Sequence, residues 1–346
     1  MIRLGVVGCG YGAQVLVPAF RADTRGEIVA IAARSQGRAE AVAGELEIPR
    51  FFADWRVMLD PALLDAVAIA APPEVQHQIA MAAFAAGLHV FAEKPLAMSL
   101  DQAREMARAA ANSGRAHAID FNFREVAVLR AARNLLRGGA IGALRHVAVS
   151  WQVENYANRV RLASWKTDQG AGGGALGNFV SHSLDYLEWF AGKVTGLSAR
   201  LAGMPGDTRD NDTFVSLALQ FAGGAAGSLL MSAAAYKGSG HRIEFYGEDG
   251  SLVLDNPGMD YMRGFGLRLA RRPGEFEDVA VPAGADIWQD GRVLPASRIA
   301  GRFLDWAQGG VPAGPDFADG LRVQYLMDAA RRSHAEGRWI GVDLES

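Results

Sequence analysis

Short apolar runs alternate with helix-period segments from Arg3 to about Phe121, and this alternation restricts the fold more than any other feature of the chain. Strands separated by helical segments of this length form a parallel sheet covered by helices. Strands are predicted at 4–8, 27–34, 51–53, 65–72, 89–95 and 117–121, with helices at 36–47, 75–88 and 99–114. Ser99 is the expected N-cap of the last helix, and Gly114 is its expected C′ residue. Residues 1–121 are therefore predicted to form a doubly wound α/β domain of the Rossmann type.

The pattern changes after Phe121. A predicted helix at 124–139 is followed by alternating segments that are mostly joined by Gly, Asn or Asp turns: 146–154, 198–203, 212–221, 224–236, 241–255 and 266–272. Successive strands without intervening helices are typical of antiparallel sheets. Further helices are predicted after the glycine cluster 170–178 and at 297–309 and 317–337. We expect residues 122–346 to form an α+β domain with a mostly antiparallel, open sheet.

Composition excludes several classes of protein. A chain of 346 residues is long enough for two domains. Its formal net charge of −3 is not the basic excess that nucleic acids or acidic membranes attract. The single cysteine cannot form an internal disulfide, and no apolar run reaches the roughly 18 residues that a membrane span needs. We expect a cytoplasmic protein with a small-molecule substrate, with neither nucleic acid nor membrane as a partner, and we predict no metal site.

A glycine-rich segment follows directly after the first predicted strand and precedes a helix. Gly8 permits a tight turn, Gly10 lets the backbone approach a pyrophosphate, and Ala13 is small enough for close packing of the helix on the strand. The helix N-terminus favours the negative charge of the phosphates. A purely structural glycine turn is the alternative. We predict a dinucleotide-binding loop that consists of Gly8, Gly10, Tyr11, Gly12 and Ala13.

The end of the second predicted strand bears on the choice of cofactor. NAD-binding proteins usually carry an acidic residue there, which bonds to the adenosine ribose. Arg34 takes that place here, with Ser35 and Arg38 nearby. An arginine suits a 2′-phosphate, so we expect NADP(H) to be favoured over NAD(H). The alternative is a solvated arginine at a strand end.

The chain resembles the Gfo/Idh/MocA oxidoreductases, which are typified by glucose-fructose oxidoreductase and inositol dehydrogenase. The segments that carry the resemblance are GVVGCGYGA (5–13), APPEVQH (71–77), AGLHVFAEKP (86–95), FNFR (121–124), SWKTDQGAGGGALGNFVSHSLD (164–185) and FYGEDGSL (245–252). The resemblance implies a Rossmann domain followed by an α+β domain whose open sheet often mediates oligomerisation. It also implies hydride transfer between a nicotinamide and a sugar, a cyclitol or a similar carbon–oxygen centre.

Lys94 follows the fifth predicted strand, at the carboxyl edge where ligands bind in open α/β sheets. A lysine beside a nicotinamide can donate hydrogen bonds to a substrate oxygen and stabilise its developing charge. We therefore assign Lys94 a catalytic, cofactor-binding and substrate-binding role, with a surface lysine as the alternative. Glu93 is expected to orient Lys94 or to line the cofactor pocket.

The segment after the fourth predicted strand lies at the same edge of the sheet. Ala71 and Pro72 are expected to contact the cofactor through their backbone, because Pro72 and Pro73 end the strand there. His77 lies in the next helix. It is either a structural hydrogen-bonding residue or a cofactor ligand.

The helix after the glycine cluster carries the clearest polar pattern. At about 100° per residue, Asn178, His182, Asp185 and Trp189 fall within one sector of about 60°. His182, with an unperturbed pKa of about 6.5, can exchange the hydroxyl proton that accompanies hydride transfer. A buried structural histidine is the alternative. Asp185 is expected either to fix the tautomer of His182 or to pack within the polar stripe.

Two positions depart from the family pattern. Polyol dehydrogenases of the family usually carry Asp at position 178, and Asn178 cannot accept a proton, although it can bond to a hydroxyl. Val180 replaces a frequent glycine. We assign Asn178 and His182 to both the catalytic and the substrate-binding groups.

Other candidates come from the resemblance. Asn122 and Arg124 match the family's segment near the nicotinamide, so Asn122 is a candidate for contact with cofactor and substrate. Trp165 and Lys166 are candidates for substrate contact. The weaker candidates, which equally suit packing, are Trp151, Tyr156, Arg159, Arg161 and Tyr236.

Three functions compete at this point. The first is an NADP(H)-dependent oxidoreductase acting on a sugar-like substrate. The second is a glycosidase of the same fold that uses NAD transiently, and the third is a cofactor-binding regulatory protein without catalysis, a hypothesis that rests on Asn178. In all three, an open sheet with largely small or apolar side chains predicts a homodimer or homotetramer.

Overall fold

The computed structural model describes residues 1–282, 284 and 286–343, and the chain divides into two compact units. The first unit comprises Met1–Asn122 and Ile287–Gln324, and the second comprises Phe123–Asp286 and the chain from Tyr325 onward. The sequence assigned residues 287–324 to the second domain. They join the first unit because Phe303, on the helix Val293–Ala307, packs edge-on against Phe20 and Phe91 in its core, with ring centroids 6.0 and 5.8 Å away.

The strands of the first unit run parallel, as predicted. They are β1 (Ile2–Val7), β2 (Gly26–Ala32), β3 (Arg50–Phe52), β4 (Ala66–Ile69), β5 (His89–Ala92) and β6 (His117–Ile119). Among the described residues they form a six-stranded sheet in the order β3-β2-β1-β4-β5-β6. This is the strand order of a doubly wound dinucleotide-binding sheet. The predicted Rossmann architecture is confirmed.

The helices of the first unit include counterparts of the three that were predicted in this part of the chain. They span Val17–Arg21, Gln36–Glu45, Trp55–Met58, Pro73–Ala85, Leu100–Ser113 and Val293–Ala307, and Phe317–Glu336 starts in this unit. Ser99 caps the helix Leu100–Ser113 by accepting a hydrogen bond from the Gln102 N–H, and Gly114 ends it at φ +64°.

The second unit is built on a mostly antiparallel sheet, as predicted. Its strands are β7 (Leu144–Gln152), β8 (Val194–Ala202), β9 (Phe214–Phe221), β10 (Ala226–Ser232), β11 (Gly240–Gly247), β12 (Gly250–Asn256), β13 (Gly266–Arg271), β14 (Glu277–Asp278) and β15 (Ile340–Gly341). Within the described part of the chain the order is β14-β13-β12-β11-β7-β10-β9-β8-β15, and β10 runs parallel to β7. The segment 241–255 is a hairpin of two strands, β11 and β12. The helices of this unit are Ala127–Arg137, Tyr156–Arg159, Ser181–Ala191 and the later part of Phe317–Glu336, with 3₁₀ turns at Asn122–Glu125 and Trp165–Thr167.

The two faces of this sheet differ in burial. On β10, Leu229 and Met231 are buried in the core, whereas Ser228 and Leu230 alternate with them on the other face. Leu230 keeps 40% of its surface exposed. Its neighbours across the strands are Ser150 and Ser216, so small side chains flank Leu230 on this open face.

None of the helices described in the structure has both the length and the apolar character that crossing a membrane requires. The described residues also contain no group of three His, Cys, Asp or Glu side chains placed to hold a metal ion.

Candidate active site

The glycine-rich loop connects β1 to the first helix of the unit. Gly8 has φ +114°, and a Cβ there would lie 2.3 Å from the carbonyl oxygen of Ala70, so only glycine fits. A Cβ at Gly10 would meet nothing within 4 Å, which leaves the space beside the loop open. Ala13 packs against the core of the unit, as predicted, and Gly12 also allows close packing, because a Cβ there would lie 2.9 Å from Val6 Cγ1.

The helix after the loop starts at the loop itself. The Gln14 N–H donates to the Gly10 carbonyl at 3.0 Å, a π-helical turn follows at Gly12–Leu16, and α-helix begins at Val17. The first N–H groups of such a helix point toward the open space at Gly10. The loop therefore fits the diphosphate of a dinucleotide.

Arg34, Ser35 and Arg38 follow β2 and are exposed. The Arg38 guanidinium donates to the carbonyl oxygen of Cys9 at 3.3 Å, so it lies against the glycine-rich loop. Burial raises the pKa of the Cys9 thiol, and the charge of Arg38 opposes this rise. Cys9 is thus a packed, protonated residue, and Arg38 is a charged group beside the loop.

A buried glutamine that sequence reasoning missed holds the segment around Lys94. The Gln76 side-chain nitrogen donates to the carbonyl oxygens of Glu93 at 2.6 Å, Pro95 at 3.0 Å and Leu96 at 3.1 Å. Its oxygen accepts from the Glu93 N–H at 3.1 Å. Gln76 lies in the segment APPEVQH (71–77), directly before His77.

The neighbouring candidates lie on the same helix or at its start. Pro72 is the N-cap of the helix Pro73–Ala85, and Ala71 precedes it at the end of β4. His77 Nε2 lies 2.8 Å from the carboxylate of Glu105 on the next helix. Of the two roles predicted for His77, this contact corresponds to that of a structural hydrogen-bonding residue.

A second feature absent from the predictions is a buried polar cluster near the ends of β5 and β6. The Tyr11 hydroxyl donates to Asp120 Oδ2 at 2.7 Å and accepts from the Asn122 side-chain nitrogen at 3.1 Å. Asp120 and Asn122 are 1% and 3% exposed. Both Glu93 and Lys94 interact with Asp120, the first through a hydrogen bond and the second through its charge. The structure thus brings Tyr11, Lys94 and Asn122 together, although the sequence did not suggest that Asp120 connects them.

In the second unit, the helix that carries His182 differs from the ideal helix assumed in the sequence analysis. Residues Leu176–Val180 form a π-helical turn before α-helix begins at Ser181, so the angle of about 100° per residue does not hold across Asn178. The angle used to place Asn178 in one sector with His182, Asp185 and Trp189 therefore does not apply at Asn178 itself. Two members of this polar stripe are buried, since His182 and Asp185 are 7% and 2% exposed.

His182 packs on the ring of Phe123, with centroids 4.9 Å apart. One turn later, Asp185 accepts two hydrogen bonds from Arg124, one of them from Nε at 2.8 Å. The Asp185 side chain is 1% exposed and that of Arg124 is 14% exposed. This buried ion pair anchors the segment after β6 to the helix of His182.

Asn178 holds the preceding loop. Its side-chain nitrogen donates to the carbonyl oxygens of Lys166 at 2.7 Å and Gly174 at 2.9 Å. Lys166 is exposed, with its ammonium group 5.8 Å from the centroid of the Trp165 ring. Asn178 thereby fixes the loop that presents both substrate-binding candidates.

Asp212 anchors the N-terminal end of the same helix, and nothing in the sequence marked it. Its Oδ2 accepts from the Leu176 N–H at 2.8 Å, and a Cβ at Gly174, where φ is +75°, would lie 1.8 Å from its other oxygen. Burial raises the pKa of this carboxyl to about 6, against the lowering effects of the Leu176 N–H and the charge of Arg331. Gly174 therefore serves close packing onto Asp212.

The weaker candidates have separate environments. Trp151 is a core residue stacked on His241 at a centroid distance of 4.1 Å. Tyr156 and Tyr236 are 64% and 76% exposed, and the Arg159 guanidinium lies 5.6 Å from the Tyr156 ring centroid. Arg161 has φ +51°. These contacts give no evidence of a shared chemical role.

Comparison with known proteins decides the family. Residues 2–121 match the family model described as the oxidoreductase family with an NAD-binding Rossmann fold, and residues 129–253 match the GFO/IDH/MocA C-terminal domain. The chain belongs to the GFO/IDH/MocA oxidoreductase family. The family assignment confirms the predicted resemblance, and it makes this protein an oxidoreductase that binds a nicotinamide cofactor.

Other members of the GFO/IDH/MocA family match nearly the whole chain. An uncharacterized oxidoreductase of Synechocystis is 31% identical, with 99% of this chain and 97% of the relative covered. Levoglucosan dehydrogenase of Pseudarthrobacter phenanthrenivorans is 28% identical over 84% of this chain and 83% of its own. A structure of levoglucosan dehydrogenase in complex with NADH and levoglucosan superposes with a TM-score of 0.88 at 25% identity, with 99% of each chain covered.

Proposed function

We propose that this protein transfers hydride between NADP(H) and the hydroxyl or carbonyl carbon of a sugar, a cyclitol or a similar substrate. The observation that carries the choice of cofactor is the set of exposed groups after β2. Arg34 and Ser35 replace the acidic residue typical of NAD binding, and Arg38 lies against the glycine-rich loop. Arginine forms bidentate, charged hydrogen bonds with phosphate, as a 2′-phosphate requires.

The bound nicotinamide supplies the carbon that donates or accepts the hydride. Lys94 acts on the substrate oxygen: its ammonium group donates a hydrogen bond and stabilises the negative charge that develops there as hydride transfers. The backbone bonds from Gln76 to Glu93, Pro95 and Leu96 support this role, because they fix the segment on which Lys94 lies.

His182 exchanges the proton of the substrate hydroxyl. In the oxidative direction the neutral imidazole accepts this proton, and in the reductive direction the imidazolium returns it. Packing on Phe123 restricts the ring, and the Arg124–Asp185 pair holds the helix one turn away. Asn178 contributes binding rather than proton transfer, because an amide cannot accept a proton under these conditions.

The sugar-like substrate class rests on the family and on its sugar-acting relative. Trp165 supports it as well, because an aromatic ring suits the apolar face of a sugar ring, and the adjacent Lys166 can donate to hydroxyl groups.

The test is a screen of aldoses, ketoses, inositols and dihydrodiols with NADP⁺ and NAD⁺, and of the corresponding carbonyl compounds with NADPH and NADH. A steady net change of nicotinamide absorbance with one of these compounds, lost in Lys94→Ala and retained in the surface control Lys193→Ala, supports the proposal. Hydrolysis of a glycoside without net change of the nicotinamide would instead identify the glycosidase. Cofactor binding without any turnover across the panel would favour the regulatory protein.

A further inference from the structure

Asp120 is a buried carboxylate that the proposed chemistry does not use. It follows β6, and its N–H donates to the Ala92 carbonyl at 2.9 Å, directly before Glu93 and Lys94. Strand pairing therefore places Asp120 beside the end of β5, where the segment of Lys94 begins. A carboxylate that is only 1% exposed is costly unless it has charged or hydrogen-bonding partners.

The partners of Asp120 fix its orientation. Tyr11 reaches it from the glycine-rich loop, with the hydroxyl hydrogen bonded to Asp120 Oδ2 at 2.7 Å. Asn122 donates to the same hydroxyl at 3.1 Å, so the phenol must use its own proton toward Asp120. Burial and the charge of Asp120 raise the pKa of Tyr11 well above its ordinary value, so the phenol remains a donor at all working pH values.

Charged and titratable groups from four elements interact with one another around Asp120, next to the segment of Lys94. Glu93 precedes it in the chain, Asp120 comes from the end of β6, and Tyr11 comes from the loop. Arg292 lies before the helix Val293–Ala307, with its guanidinium 5.1 Å from the centroid of the Tyr11 ring and paired with Asp290 at 2.6 Å. Asp120 interacts with the charges of both Lys94 and Arg292, and Arg292 is paired with Asp290 as well.

We propose that Asp120 is a positioning residue for Lys94: held by Tyr11, its carboxylate keeps the half-buried ammonium group charged and oriented. This inference rests on the proposed role of Lys94 in hydride transfer. It adds a function for a residue outside the set that would touch the substrate. An ammonium group in a partly desolvated place loses its proton more easily, and the charge of a fixed carboxylate offsets that loss.

The consequence for the reaction concerns the alkaline side of the pH range. Only the charged form of Lys94 stabilises a developing alkoxide, so turnover falls when the ammonium group loses its proton. Burial raises the pKa of the Asp120 carboxyl, whereas hydrogen bonds with Glu93 and Tyr11 and the charges of Lys94 and Arg292 lower it. Removal of the Asp120 charge therefore lowers the pH at which activity is lost.

The direct test measures the pKa of Lys94 without cofactor or substrate. The sequence contains four lysines, Lys94, Lys166, Lys193 and Lys237, and the last three are exposed. Brief labelling of the folded protein with acetic anhydride from pH 7 to 11, read by peptide mass spectrometry, yields a titration curve for each. In Asp120→Asn, the curve of Lys94 should move down by one pH unit or more, while those of the three exposed lysines stay in place.

Tyr11→Phe is the matched control, because it removes the hydrogen bond and leaves the Asp120 charge. Its Lys94 titration should stay within about 0.3 pH units of the wild type, since the charge sets the pKa. An unchanged Lys94 curve in Asp120→Asn would overturn the proposal, and so would an equal shift in Tyr11→Phe. Circular dichroism of each variant verifies that it is folded.

The wild-type protein provides a measurement that needs no variant. Lys94 should titrate at or above the ordinary lysine pKa of about 10.4 despite its partial burial. A Lys94 pKa below those of the three exposed lysines would contradict the stabilising charge.

Failure of the proposed function is a separate outcome. If the Lys94 pKa shifts in Asp120→Asn but no compound supports turnover, the positioning role stands and the reaction is wrong. If a substrate is found, the alkaline limb of kcat/KM should move down in Asp120→Asn along with the labelling curve. If the labelling curve of Lys94 moves but the alkaline limb of kcat/KM stays in place, the loss of activity at alkaline pH is not caused by deprotonation of Lys94.

Discussion

Asp212 Oδ2 accepts a hydrogen bond from the Leu176 N–H at 2.8 Å, at the start of the helical segment that carries His182. The bond satisfies a backbone donor at the helix N-terminus, and the charge interacts favourably with the helix dipole. Burial nevertheless dominates, since it raises the pKa of Asp212 to about 6. The ionised carboxylate is therefore less stable in the folded protein than in the unfolded chain.

This relationship predicts a pH-dependent stability. Because the folded pKa lies above the unfolded value of about 3.9, the native state binds more protons between these two values, and stability falls as pH rises from about 4 to 6. A shift of about 2 units corresponds to about 3 kcal/mol. Urea unfolding at several pH values measures the free energy of unfolding of wild type and Asp212→Asn. The difference between the two proteins should change by this amount between pH 4 and pH 6. A difference that stays constant with pH would contradict the prediction.

Arg34→Ala should weaken binding of NADPH more than that of NADH. A charged hydrogen bond to the 2′-phosphate contributes on the order of 1.5–3 kcal/mol, and NADH has no such group. Fluorescence titration of both cofactors measures the two losses, with Arg104→Ala, an exposed arginine on the helix Leu100–Ser113, as the control. Equal losses for the two cofactors in Arg34→Ala would remove this residue from the phosphate site.

His182 should produce a single acidic limb in the pH profile of oxidation. The logarithm of kcat/KM should rise with pH as one group near 6–7 loses its proton, because only neutral imidazole accepts the hydroxyl proton. The limb should be absent in His182→Ala. In Asn178→Asp, activity should persist and the limb should move to higher pH, because a nearby carboxylate stabilises imidazolium. Persistence of the same limb in His182→Ala would assign proton transfer to another group.

The Arg124–Asp185 pair predicts a large loss of stability when it is broken. Arg124→Ala leaves the carboxylate of Asp185, which is 1% exposed, without its guanidinium, and such changes cost about 3–5 kcal/mol. Arg104→Ala removes an exposed pair with Asp101 and should cost about 0–1 kcal/mol. Chemical unfolding compares the two variants. Similar small losses in both would show that the buried pair contributes little.

The open face of the second sheet predicts self-association, and we propose a homodimer or homotetramer through it. Leu230 is exposed among small side chains near the middle of the sheet, where β10 lies between β7 and β9. Light scattering at micromolar concentration should find an oligomer for the wild type and a smaller species for Leu230→Asp, because a carboxylate cannot be buried there without a partner. A wild-type protein that is only monomeric would contradict this.

Local signals predicted the parts of the fold that depend on neighbouring residues. Gly8 and Gly10 could be assigned because a tight turn between a strand and a helix leaves few alternatives, and Ser99 and Gly114 because caps bond within one turn. The close approach of Gly12 to Val6, beside the packing of Ala13 on the same core, was not predicted, since it depends on how the helix packs on β1.

The remaining differences arise from contacts that are distant in the sequence. Asp212 bonds to Leu176, 36 positions earlier, and Tyr11 to Asp120, 109 positions later, and neither pair has a local pattern. The π-helical turn at Leu176–Val180 also escaped prediction, because a helical wheel assumes one fixed angle per residue.

The return of residues 287–324 to the first unit affects the order in which the protein can be completed during synthesis. The glycine-rich loop and strands β1 to β6 leave the ribosome early. Part of their core is covered by Ile299, Phe303 and Leu304, which follow more than 170 residues after Asn122. Until then the apolar surface around Phe20 and Phe91 has no permanent cover. A nascent chain stopped before Val293 should therefore bind chaperones through this surface, and a premature stop codon anywhere up to that point should yield an aggregation-prone fragment instead of a working cofactor-binding half.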